Sequence, residues 1–419
     1  MVKILPTLVA LSATLSVVLG HKHHHGHHAS QDVHSLEKRA TTAPEPTGCP
    51  AYAPVATGAW PTLDCIPYPQ DPQVQTWLKL VDMTKVPVYP LSNDGVCPPA
   101  GTIIPAGQCW WTCQKCTAPA DITSCPQTET WGLTYDDGPS PDSPRLYDNL
   151  KAHGTQATLF IVGSRAISYP ATLLRAYNEG HQIAIHTWSH PSMTSLSNEQ
   201  IVAELKWTEK AIVSVIGVTP IYWRPPYGDV DNRVRAIATQ LGYKTSIWTD
   251  GFDTNDWNIP AGTATPQSVV ATFQTWMAKI PTMSTGFIVL EHDLFPAEVN
   301  VSIDSILPIA YADKSLKMMP IARCVGDAKP YKEGAGTFSL AGSPAAPASS
   351  STAASGSHSG TAAAGGSTAT GSAGASTSSG GPKIIGNSAV SLVGAGGASV
   401  SAALMVGSAV VFAVLPAIL

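Results

Sequence analysis

Residues 181–192 read HQIAIHTWSHPS. Apolar, β-branched positions alternate through the first half, which predicts a strand, and the run stops on His186 with a second histidine, His190, four residues on. Three other stretches share this form: ATLFIVG (157–163), YKTSIWTD (243–250) and GFIVLEHD (286–293). Between them lie sequences with helical periodicity, of which the clearest are 143–154, 198–217, 231–242 and 266–280. Strand and helix in alternation predict βα units with parallel strands, an α/β fold. In a closed βα barrel the C-terminal strand ends share one face, and that face holds the active site. Polar residues gather at those ends: Asp136 and Asp137 close one strand, His186 another, Asp250 to Asp256 follow a third, and His292 ends a fourth.

The chemistry expected there follows from the residue types. Residues 40–334 contain five histidines, His153, His181, His186, His190 and His292. The HxxxH spacing of His186 and His190 lets a short turn bring both imidazoles to one point. With a carboxylate from a neighbouring strand end they make a two-histidine, one-carboxylate set suited to zinc or a similar divalent ion with open positions. The adjacency of Asp136 and Asp137 in TYDDGP (134–139) then has a purpose: one ligates the cation and is largely neutralised, while its neighbour stays ionised beside it and takes a proton from the attacking water. An Asp-Asp-Gly-Pro turn that only caps a helix is the bland alternative. His153, at a helix end, reads as a surface residue, and His181, at a strand start, as a structural one.

Five motifs in order, TYDDGP, HTWSHP, RPPYG (224–228), DTNDW (253–257) and LEH (290–292), resemble those of the polysaccharide deacetylases, the family-four carbohydrate esterases that share the NodB homology domain. The resemblance covers about residues 128–325 and implies a distorted (β/α) barrel. It also implies Asp136 as general base, Asp137, His186 and His190 as metal ligands, and His292 as general acid. By the same resemblance Arg224 orients the base, the amide of Tyr227 helps hold the oxyanion, and Trp257 and Leu290 line the groove for sugar and acetyl group. An aspartate of the fourth motif partners the acid histidine, Asp256 being favoured over Asp253. Tyr135 stands where phenylalanine is common. The implied cofactor is a divalent metal, zinc or cobalt, and the implied reaction is removal of acetyl groups from a glycan by a monomer, the polymer left open because members of the family act on chitin, peptidoglycan, acetylated xylan and related glycans. An O-acetyl esterase acting on xylan would use the same residues, and an inert wall-binding module is the reading from another class.

The flanks suggest where such a protein works. Residues 1–20 have the form of a signal peptide. Residues 21–39 form a His-rich pro-segment, with seven of the thirteen histidines, that closes on Lys38-Arg39, similar to the dibasic site of a fungal maturation protease. From 335 to 387 the chain is Ser, Thr, Gly and Ala with a single charged residue, Lys383, and reads as a disordered stalk. Residues 388–419 resemble a glycolipid-anchor signal, with attachment at Asn387. Secretion to the wall and the outer face of the plasma membrane is the expectation, and chitin the expected polymer there. Residues 40–334 carry 19 Lys and Arg against 27 Asp and Glu, a balance that argues against nucleic acid or another polyanion and suits a neutral or cationic partner. Eight cysteines, seven of them in the Cys- and Pro-rich segment 40–127, are expected to form disulfides, one reaching from that segment to Cys324. Asn300, in Asn-Val-Ser, is the one N-glycosylation acceptor of the folded region.

Overall fold

The computed structural model describes residues 49–336, so the expected signal, pro-segment, anchor signal and Asn387, with nearly all of the stalk, lie outside the described residues. Eight short strands run β1 (Thr130–Gly132), β2 (Thr134–Asp136), β3 (Thr158–Ile161), β4 (Gln182–Ile185), β5 (Tyr222–Trp223), β6 (Lys244–Thr245), β7 (Phe287–Ile288) and β8 (Lys317–Met319). All pairings among them are parallel, in a five-stranded sheet β2-β3-β4-β5-β6 and a three-stranded sheet β7-β1-β8. Leu133 joins the two sheets: its N–H donates to Met319 O, while its carbonyl accepts from Thr158 N. A further parallel bridge, Asp136 to His292, ties the other side. The result is the expected α/β barrel in distorted form, two arcs rather than one closed sheet.

The expected strands at 243–250 and 286–293 shrink to two residues each. Side chains have taken over ladder positions there: Ile288 N donates to Thr249 Oγ1 at 2.9 Å, and His292 N to Asp256 Oδ2 at 2.8 Å. Once a side chain supplies the acceptor, the neighbouring backbone is free to leave the sheet and carry residues into the cleft.

Helices cover the sheets. Asn198–Ile216 begins in a capping box of Ser197 and Gln200 and ends at Gly217, φ 76°. Asn232–Gln240 is capped by Asp231, and Pro266–Lys279 by Thr265 with Ser268. In the Cys- and Pro-rich segment a short helix, Pro72–Leu78, is followed by a separate 3-10 turn, Met83–Lys85, capped by Asp82. The run Pro296–Ala312, which includes a π-helical turn at Ser302–Ile306, carries little of the 3.6-residue pattern and was not expected. Among the described residues, no helix is long and apolar enough to cross a membrane.

The Cys- and Pro-rich segment is stapled by Cys49–Cys65, Cys97–Cys113, Cys109–Cys116 and Cys125–Cys324, the last joining residues 199 apart. Every cysteine is paired, as expected. The segment also packs against the barrel: Trp60 and Trp77 meet Trp207, and Trp110 Nε1 donates to the buried Asp229 at 2.7 Å.

Candidate active site

Asp136 is the last residue of β2, and Asp137 turns the chain out of the strand at φ 76°. The turn depends on Gly138, where a Cβ would lie 2.4 Å from an Asp293 carboxylate oxygen. Both aspartates are buried. Their side chains separate at once: Asp136 Oδ1 accepts from Arg224 Nη1 at 2.8 Å, whereas Asp137 Oδ1 lies 3.4 Å from His186 Nε2 and 3.1 Å from His190 Nε2. One carboxylate is held by a guanidinium, with its Oδ2 3.8 Å from His186 Nε2, and the other lies nearer and faces both imidazoles.

Arg224 follows β5 directly and is fully buried. Its Nη1 also donates to Thr134 Oγ1 at 2.9 Å, and its guanidinium lies 4.2 Å from the ring centre of Phe160. Its backbone carbonyl has a second task, accepting from His186 Nδ1 at 2.8 Å. A carbonyl only accepts, so Nδ1 carries the proton and Nε2 points its lone pair towards Asp137. His190, φ 60°, is half-buried, with its ring 4.9 Å from that of His186 and 4.6 Å from that of Tyr227. One ligand atom from each of Asp137, His186 and His190 fits within 4.8 Å of the others, the donor set and spacing of a divalent cation site.

Four residues of this corner, Asp137, Thr187, His190 and Tyr227, have φ between 58° and 76° without being glycine. Such backbone costs about 1–3 kcal/mol per residue and persists where surrounding structure over-determines it.

A second cluster sits at the end of the last motif. His292 bridges backbone with Asp136, its Nδ1 is 2.7 Å from Asp256 Oδ1, and its N–H donates to Asp256 Oδ2. Burial draws the imidazolium pKa down, but the Asp256 charge and hydrogen bond outweigh it, with Asp137 and Glu298 adding, and raise it to about 10. Of the two fourth-motif aspartates it is therefore Asp256 that contacts His292; the Asp253 carboxylate instead accepts from Asn255 N at 2.8 Å. Trp257 and Leu290 are buried beside this pair, Trp257 N donating to Asp256 Oδ1 and Leu290 bridging Asp253. Asn300 is exposed on the helix Pro296–Val301.

Two contributors escaped the sequence. Thr134 shares the Arg224 guanidinium, and nothing distinguishes a threonine in a buried strand from a packing residue. Asp293 accepts from Ser143 Oγ at 2.5 Å, and burial, with the Asp137 and Asp136 charges, pushes its carboxyl up to about 7. An acid directly after His292 in an apolar run was the available signal.

The family profile described as polysaccharide deacetylase matches residues 123–246. Chitin deacetylase 1 of Cryptococcus neoformans var. grubii is 45% identical over 298 residues, 68% of this chain and 63% of that protein. Chitin deacetylase 2 of Saccharomyces cerevisiae is 32% identical over 300 residues, 71% of this chain and 86% of that protein. The chain spans 51–63% of the length of the Cryptococcus relatives it matches first. Among solved structures, the chitin deacetylase of Colletotrichum lindemuthianum aligns with 51% of this chain and 95% of its own at 27% identity and a TM-score of 0.45.

Proposed function

We propose, from the premise that this chain belongs to the polysaccharide deacetylase family, that it hydrolyses the N-acetyl groups of N-acetylglucosamine residues in chitin, giving chitosan and acetate. The observation that carries the reaction class is the division between two adjacent aspartates, one bound by Arg224 and the other turned to His186 and His190. The polymer is supported by the curated chitin deacetylases this chain resembles, and by a surplus of acidic residues that suits neither nucleic acid nor another polyanion.

An acetamide has a weak electrophile and a poor leaving group, so its hydrolysis needs an activated water, a stabilised oxyanion and a proton for the departing amine. Asp137, His186 and His190 would hold the divalent metal, zinc or cobalt. When bound, it supplies Lewis-acid polarisation of the acetyl carbonyl and of the attacking water. Asp136 takes the water proton, with its carboxylate aimed by Arg224 and that guanidinium in turn fixed by Thr134. The Tyr227 amide donates to the developing oxyanion. His292, kept protonated by Asp256, delivers a proton to the amine nitrogen. Trp257 and Leu290 flank that donor and shape the groove for the sugar and its acetyl group. The chain is secreted, held at the wall and the outer membrane face by a glycolipid anchor, glycosylated at Asn300, and acts as a monomer.

The test is acetate release from chitin oligomers and from acetylated xylan, before and after chelation and after zinc or cobalt restoration. Release from chitin oligomers that is lost on chelation and returns with metal is the expected result. Release from xylan alone would replace the amidase with an esterase, and release from neither would leave an inert wall module.

A further inference from the structure

The helix Asn198–Ile216 carries a fully buried carboxylate, Glu204, that has no part in the chemistry above. Its Oε2 accepts from the N–H of Trp188 at 2.7 Å and of Ser189 at 2.9 Å, and its Oε1 from Ser189 Oγ at 2.6 Å. Trp188 and Ser189 are inner residues of the turn that separates His186 from His190. A buried carboxylate costs several kcal/mol to desolvate, and three donors from one short turn offset part of that cost, burial still pushing the carboxyl up to about 7.

That turn requires external support. Thr187 and His190 both have left-handed backbone, at φ 65° and 60°, and neither is glycine. The released backbone groups are caught from other elements: Gly163 N donates to Thr187 O at 2.8 Å and Ser164 N to Trp188 O at 3.1 Å. Gly163 permits this approach, since a Cβ there would lie 2.7 Å from the Trp188 ring. From the opposite side, Trp188 Nε1 donates to Thr62 O at 3.0 Å and its ring stacks on Trp60, centroids 6.2 Å apart at 17°. The carbonyls and the ring are thus fixed from the barrel and from the N-terminal segment, while the two consecutive amides in the middle of the turn converge on Glu204.

We propose that Glu204 is a positioning residue for the metal site: by gathering the Trp188 and Ser189 amides it sets the aim of the His186 and His190 Nε2 atoms about Asp137. This rests on the reading that Asp137, His186 and His190 hold a divalent metal. Glu204 touches neither metal nor substrate, so its effect appears in metal affinity and coordination before it appears in rate. A residue that only supported the fold would lower thermal stability and leave the affinity of the folded protein unchanged.

The experiment measures zinc affinity of the full chain by competition with a chromophoric chelator, the cobalt(II) visible absorption band, and the melting temperature of the metal-free protein. In E204Q an amide nitrogen replaces one acceptor and opposes a donor, and zinc affinity is expected to fall about 10–100-fold with a changed cobalt band. S189A removes only the 2.6 Å hydroxyl contact, and its expected fall is about 2–5-fold with the melting temperature nearly kept. Should E204Q fail to fold, S189A decides alone. Zinc affinity within error of the native chain in every folded variant, with an unchanged cobalt band, overturns the clamp while leaving the metal site standing. A native chain that takes up neither zinc nor cobalt overturns the metal reading and the clamp with it.

Discussion

His186 and His292 are both buried, both end apolar runs and both bond through Nδ1, yet their partners differ in kind. His186 Nδ1 meets the backbone carbonyl of Arg224 at 2.8 Å, a neutral acceptor that leaves Nε2 as a lone-pair donor aimed at Asp137. His292 Nδ1 meets the Asp256 carboxylate at 2.7 Å, an anion whose charge keeps the ring protonated up to about 10. In the proposed reaction the same side chain serves as a ligand at one strand end and as an acid at another, and the atom behind the ring makes the difference.

The ligand side breaks most completely at Asp137. Asp137→Ala leaves two imidazoles without their carboxylate, and the expected outcome is loss of zinc uptake, read by metal analysis, with acetate release down at least about 10³-fold. Asp136→Asn tests whether neighbouring aspartates have separate tasks. It should retain zinc while the rate falls about 10²–10⁴-fold; a variant that kept most of the native rate would remove Asp136 from the role of base.

The acid side is probed through Asp256. In Asp256→Asn the anion behind His292 is gone, so its pKa falls and the alkaline limb of the kcat/KM profile moves to lower pH, with a rate loss of about 10²-fold at neutral pH. An alkaline limb that stays in place would detach His292 from the role of acid.

The smallest effect concerns a third buried imidazole, His181, which has neither ligand geometry nor a carboxylate behind it. Its Nδ1 accepts from Ala157 N at 3.1 Å, and burial first of all, opposed by the Glu179 charge and joined by that of Arg175, drives its pKa down to about 4. The folded ring therefore stays neutral where the unfolded ring, with a pKa of about 6.5, takes a proton. The unfolded chain binds more protons between those values, so stability is lost as pH falls from about 6.5 to about 4, by up to about 3 kcal/mol. Urea denaturation at pH 7 and pH 5 should show a smaller difference for His181→Gln than for the native chain.

Much of the architecture was legible because it rests on local periodicity. The helices expected from 143, 198, 231 and 266 begin at or within one residue of those positions, and β3 and β4 fall inside the apolar runs ATLFIVG and HQIAIHT. The runs YKTSIWTD and GFIVLEHD misled by their length, since Thr249 and Asp256 intercept backbone donors that a longer ladder would have used. The segment before residue 128 had no period to read, and its order comes from disulfides and from Trp60, Trp77 and Trp110 contacting barrel residues more than one hundred positions away.

By itself the sequence determined the parallel α/β class, the order of the five motifs and the residue types available to the site, because strand and helix periods and turn residues act over a few positions. Which nitrogen of each imidazole is free, and which aspartate stands behind His292, was decided only by the tertiary structure. The Nδ1 partners of His186 and His292 lie 38 and 36 residues away, brought into place by parallel strands whose packing no local spacing encodes.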